Sequence, residues 1–108
     1  MDSFCDAAVG GMIEIQVFDI NGEGVPGVPI EVRWGGNLTD KFYTGLKPGR
    51  GPGFADFQMV EGQSYTVIIP GLASPPPPVE AVSCEASTDT ETVTTVTSYR
   101  INFVQQSE

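Results

Sequence analysis

Fourteen carboxylates, two cysteines, one tryptophan and no histidine are the side chains with which this 108-residue sequence could do chemistry. Without imidazole, Ser–His–Asp triads, zincins and zinc deaminases are all excluded. Ser and Thr abound, but Lys41 and Lys47 form no recognisable dyad with any of them. Asp56 stands among aromatics, between Phe54 and Phe57, and is the carboxylate most open to an acid–base role. No second acid lies at a spacing that pairs with it, so two-carboxylate hydrolysis has no signature here. The simpler reading sends Asp56 to solvent between in-facing neighbours. No catalytic residue is predicted, and the sequence reads as a non-enzyme.

Two ligand sites can be written down from residue types. Asp19-x-Asn21-x-Glu23-Gly24 matches the first half of an EF-hand calcium loop. Position 12 of that frame is Ile30 rather than Glu, and Pro26 and Pro29 intrude. Asp19, Asn21 and Glu23 are therefore either a loose calcium site or a plain β-turn, and no other cofactor is expected. Trp34 facing outward beside Tyr43 would stack on a sugar ring, with Arg33 and Asn37 as polar partners. Its phase with Ile30 and Val32 points instead to the core. Asn37-Leu38-Thr39 also satisfies the N-glycosylation sequon.

A formal charge of −9 argues against nucleic acid and anionic membranes as partners. Arg33, Lys41, Lys47 and Arg50 crowd the middle of the sequence, which predicts either one less acidic face or simple charge balancing. Cys5 and Cys84 can pair only with each other. Their flanks, Phe4-Cys5-Asp6 and Ser83-Cys84-Glu85, are polar on at least one side, unlike those of core cysteines. A bridge is expected, with two free thiols as the alternative, and a bridge implies an oxidising compartment. The sequence shows no signal-peptide pattern, and its apolar stretches are too short to cross a membrane. Export would then be directed by a segment elsewhere in a longer chain.

These residues need elements to hold them, and the apolar pattern has period two throughout. Ile13, Ile15 and Val17 alternate with Glu14 and Gln16, and Ile30, Val32 and Trp34 with Glu31 and Arg33. Weaker strands are expected over 41–44 and 54–57. Tyr65, Val67 and Ile69 mark another, and Tyr99, Ile101 and Phe103 the clearest. Nine Ser and Thr in 83–98, with Val93 and Val96 among them, suggest exposed β structure or a mucin-like patch. No apolar repeat at three and four survives the Gly and Pro spacing, so no helix is predicted. About seven strands at roughly ten-residue spacing read as an all-β sandwich, Greek-key and prealbumin-like or Ig-like. It would comprise a lead-in over 1–11, one domain over 12–104 and a frayed end over 105–108. The Gly- and Pro-dense 45–53 and the prolines 75–78 exceed what turns require and are the expected places for a partner.

The run Ile15-x-Val17-x-Asp19-x-Asn21-Gly22-Glu23-Gly24-Val25-Pro26-Gly27-Val28-Pro29-Ile30-x-Val32 resembles the opening hairpin of the carboxypeptidase-regulatory-like and Cna-B-like families. Their opening reads V-x-D-x-x-G-x-P-L-x-G-V-x-V. Gly53-Phe54-Ala55-Asp56-Phe57 is similar to their G-x-Y-x-F strand, and Gly62-Gln63-Ser64-Tyr65-Thr66-Val67 to their G-x-x-Y-x-V strand. The likeness covers residues 12–70 and, more loosely, 99–104. It implies a seven-stranded prealbumin-like sandwich and a non-catalytic spacer, stalk or adhesion unit of a secreted or cell-surface protein. Partners would be neighbouring domains of a longer chain, or protein or carbohydrate surface ligands. A carbohydrate-binding module and an accessory domain of a secreted enzyme are the alternatives. Many Cna-B-like members carry an isopeptide bond between a first-strand Lys and a last-strand Asn or Asp. Here the first strand holds Glu14 and Gln16 but no Lys, and Asn102 lies on the last, so the bond is not expected.

Overall fold

The computed structural model describes residues 2–71 and 76–105, and those residues are all-β. They form ten strands in three sheets rather than seven in two. In chain order these are β1 (Asp2–Phe4), β2 (Met12–Phe18), β3 (Pro29–Trp34), β4 (Leu38–Tyr43) and β5 (Phe54–Gln58). There follow β6 (Ser64–Ile68), β7 (Val79–Glu80), β8 (Ser83–Ser87), β9 (Thr92–Val96) and β10 (Ser98–Val104). One four-stranded sheet, the first, has the order β1-β10-β2-β5, and the second has β4-β3-β6-β7. The hairpin β8–β9 is a sheet of its own.

The extra strands come from segments with little apolar pattern. The lead-in contributes β1, which pairs antiparallel with β10, and β7 adds two residues to the edge of the second sheet. Most of the Ser- and Thr-rich segment, residues 83–96, folds back on itself instead of joining either large sheet.

Alternation sets the core. Ile13, Ile15 and Val17 of β2 are fully buried and meet Ile30 and Val32 of β3 and Tyr65 and Val67 of β6 across the space between the two large sheets. Ile101 and Phe103 of β10 join them, with Val28, Ala55, Met59, Val79 and Ala81, which the strand pattern had not singled out. Trp34, Phe57 and Tyr99 are half-buried against this cluster. Phe54 breaks the expectation that it shares a face with Phe57. Three residues apart on one strand, the two point to opposite faces. Phe57 stacks with Phe42 inside, while Phe54 is buried on the outer face of the first sheet.

The expected opening hairpin is also corrected. The last residue of β2, Phe18, makes only an isolated bridge to Gly24 in the loop that follows, and β3 then pairs in the other sheet. The neighbours of β2 are β10, in parallel, and β5. The reason is burial: both strands carry one wholly apolar face, and these faces cover each other best when the strands lie in opposite layers. The crossing is tied down by Thr44, whose buried hydroxyl donates to the Val25 carbonyl (2.6 Å) and accepts from the Val28 amide (3.0 Å).

Candidate functional site

The densest set of charged side chains lies on the outer face of the first sheet. In the register of β2, Glu14 stands opposite Asp56 of β5 on one side and Arg100 of β10 on the other. Directly opposed carboxylates repel, and the segment 45–53 resolves the conflict. It makes one 3-10 turn over Pro48–Arg50 and lies back over the sheet. Lys47 then reaches Asp56 at 2.7 Å and Arg50 reaches Glu14 at 3.6 Å, while Arg100 binds Glu14 at 3.2 Å. The Arg50 guanidinium also covers the Phe54 ring, 4.2 Å from its centroid, which is why that ring is buried outside the core. Glu14 and Asp56 are the carboxylate pair that no sequence spacing revealed, because the ladder, not the chain, brings them together. Each is taken up by a cation of the protein itself.

Two of the four glycines of this segment, Gly45 and Gly53, are held in close contact, whereas a Cβ on Gly49 or Gly51 would meet nothing within 4 Å. Gly53 and Gly24 sit so close that a Cβ on Gly24 would lie 2.8 Å from the Gly53 nitrogen, and one on Gly53 would overlap the Val17 carbonyl oxygen. The Gly53 carbonyl accepts from the Val17 amide at 2.9 Å. Gly45 and Gly53 thus have internal partners, Pro26 for the first and Val17 and Gly24 for the second. Of the four prolines, Pro76 to Pro78 lead without regular structure into β7, and Pro75 lies outside the described residues.

The four central basic residues do not make one face. Arg33 and Lys41 lie on the outer face of the second sheet, where both engage the buried Glu31, Lys41 at 3.7 Å. Lys47 and Arg50 lie on the first sheet. The strands between them cross layers, so sequence proximity becomes separation.

Trp34 and Tyr43 are likewise apart. Trp34 pairs with Leu38 at one end of the β3–β4 ladder and Tyr43 with Pro29 at the other, five rungs or about 16 Å away. Trp34 packs on Tyr65 and Phe57, with ring centroids 5.5 and 5.3 Å distant, and Tyr43 is half exposed. No shared aromatic platform exists. What the fold does gather at the Trp34 end is an open groove of about 420 Å³, lined by Arg33, Trp34, Gln63, Ser64 and Thr66. Asn37 is exposed in the turn beside it, at the head of the Asn37-Leu38-Thr39 sequon.

In the 19–23 loop, one Asp19 carboxylate oxygen accepts from the Asn21 amide (2.8 Å) and the Glu23 amide (3.0 Å). Asp19 thus caps its own turn, as Asp commonly does. Asn21 and Glu23 are exposed, and no group of three or more metal-ligating His, Cys, Asp or Glu gathers among the described residues. Asn102 faces Gln16 across the β2–β10 ladder.

Cys5 and Cys84 are bridged, with an S–S distance of 2.04 Å and Cα atoms 6.2 Å apart. The bond fastens the segment after β1 to the second residue of β8 across a separation of 79 residues. Comparison of the chain with protein-family models, curated proteins and solved structures found no match to any of them.

Proposed function

We propose that this chain is a non-catalytic structural or interaction module of a secreted or cell-surface protein, set in series with neighbouring domains. Its two facing sheets would form a sandwich of the prealbumin-like, Greek-key kind that the 12–70 motifs resemble. The observation that carries this reading is the Cys5–Cys84 bridge, which closes most of the chain into one covalent ring. Such closure suits a small domain kept in an oxidising medium. The distribution of charge agrees with it. All five basic side chains are held by carboxylates of the protein, on two different faces, and serve its own cohesion.

A second reading, carbohydrate binding, is favoured by the groove at Trp34. Its guanidinium, amide and hydroxyl lining is the chemistry that a polyhydroxylated ligand would use. Trp34 fluorescence, titrated with a panel of soluble polysaccharides, separates the two. A flat response supports the module, and a saturable shift abolished by Gln63→Ala and Arg33→Ala supports the sugar site.

A further inference from the structure

We propose that the Cys5–Cys84 bridge is an extension limiter, which lets the domain yield under tension by a short, fixed length while most of its core stays out of the line of force. The inference deepens the reading of the chain as a module in series, since tension would come from its neighbours.

The argument is one of connectivity. Cys5 follows β1 and Cys84 is in β8, so the covalent ring encloses β2 to β7 whole. That includes every strand of the second sheet and two of the first. A pull on the two ends runs along residues 1–5, crosses the sulfurs and continues from 84 onward. The covalent path itself runs through β1, β8, β9 and β10, and β2 is loaded only through its pairing with β10.

The order of events follows from strand direction. β1 is antiparallel to β10, with Asp2 opposite Arg100 and Phe4 opposite Ser98, so the start of β1 and the end of β10 point the same way. Pulling them apart opens their three pairs one at a time, as a zipper. Force then reaches the body at Cys5, near the start of β2, and leaves it at the end of β10. β2 and β10 are parallel over six pairs, from Tyr99–Ile13 to Val104–Phe18. Loaded at opposite ends, that pairing is sheared, and its hydrogen bonds resist together. Once β10 slides free and β8–β9 opens, the chain outside the ring is taut and the tension passes through the S–S bond.

Taking the 79-residue separation out of 108 leaves about 29 residues to extend. At roughly 3.3–3.6 Å per residue, the bridge withholds about 260–280 Å of contour length.

The test is single-molecule pulling on the whole chain through handles at its two ends, before and after treatment with a phosphine. The phosphine gives two electrons to the S–S bond and is converted to its oxide, water supplying the oxygen and the two protons of the two thiols formed. The reduced protein should lengthen on full unfolding by about 260–280 Å more than the oxidised one. Cys84→Ser should show the long extension without reductant. Equal extensions in the oxidised and reduced protein would overturn the limiter, and that comparison needs no variant to fold. The two readings fail separately: a polysaccharide response at Trp34 would retire the spacer and leave the lengths unchanged, whereas equal lengths would retire the limiter alone.

Discussion

The two-sheet body and the hairpin β8–β9 are both built of paired strands, but different forces hold them. In the body, every second residue of β2 is fully buried against the opposite layer, and burial of a side chain of that size contributes about 1.5–3 kcal/mol. The hairpin alternates Glu85, Ser87, Thr92 and Thr94 on one face, all exposed, with Ala86 and Val93 on the other. Of its strand residues only Ala86 is buried. Its turn is capped locally by Thr88, whose hydroxyl accepts from the Glu91 amide and donates to the Glu91 carbonyl. Two-stranded ribbons are marginal alone. This one is fastened to the body by the bridge at Cys84 and by a backbone bond at its base, from the Gly11 amide to the Val96 carbonyl. The body is held by a core, and the hairpin by its attachment.

That contrast can be broken most directly at the disulfide. Replacing both Cys5 and Cys84 by Ser should cost about 4–5 kcal/mol in the loop-entropy account of a ring this long, measured by urea denaturation. Hydrogen exchange on the same variant should show the hairpin amides losing protection before those of β2 and β10. Unchanged protection in the hairpin would mean that the strand pairing, not the tether, sustains it. Ile15→Ala probes the other side. It should destabilise by about 2–5 kcal/mol through lost burial and the cavity left behind, with the bridge intact.

A smaller effect is expected where charge, rather than burial, holds an element to the body. Glu14→Gln leaves Arg50 and Arg100 without their common carboxylate and should cost about 1 kcal/mol. The difference from wild type should shrink in 1 M salt, where the screening length falls to about 3 Å. The smallest effect belongs to the outer face of the hairpin: Thr94→Ala should change stability by less than about 0.5 kcal/mol. A loss of several kcal/mol there would show that the exposed face is packed and that the hairpin, like the body, is held by burial.

Much of the strand content was legible because period-two alternation is a local signal. β2, β3, β6 and β10 lie where Ile13 to Val17, Ile30 to Trp34, Tyr65 to Ile69 and Tyr99 to Phe103 had marked them. The cysteine pair was legible by elimination, as only one pairing existed. β1 and β7 were not, since three and two residues carry no period; exposed β structure in 83–98 was legible from Val93 and Val96, but not its closure into a hairpin of its own. The candidate sites fared according to range. Asp19 acts within its own turn, where chain neighbours decide the outcome. The proposed pairing of Trp34 with Tyr43 depended on where the β3–β4 ladder begins, and a turn placed at 35–37 carries them to opposite ends.

By itself, the sequence determined that the chain is all-β, that its core faces are Ile-, Val- and aromatic-rich, that its cysteines have only each other to pair with and that several of its Gly and Pro residues punctuate strands. These follow from local alternation, backbone chemistry and counting. Only the tertiary structure decided that β2 and β3 lie in opposite layers, that β10 runs parallel beside β2, and that Glu14 and Asp56 are held by Arg50, Arg100 and Lys47. Those are choices among long-range pairings with similar local pattern. They are settled by which arrangement covers the apolar faces and neutralises the opposed carboxylates at once.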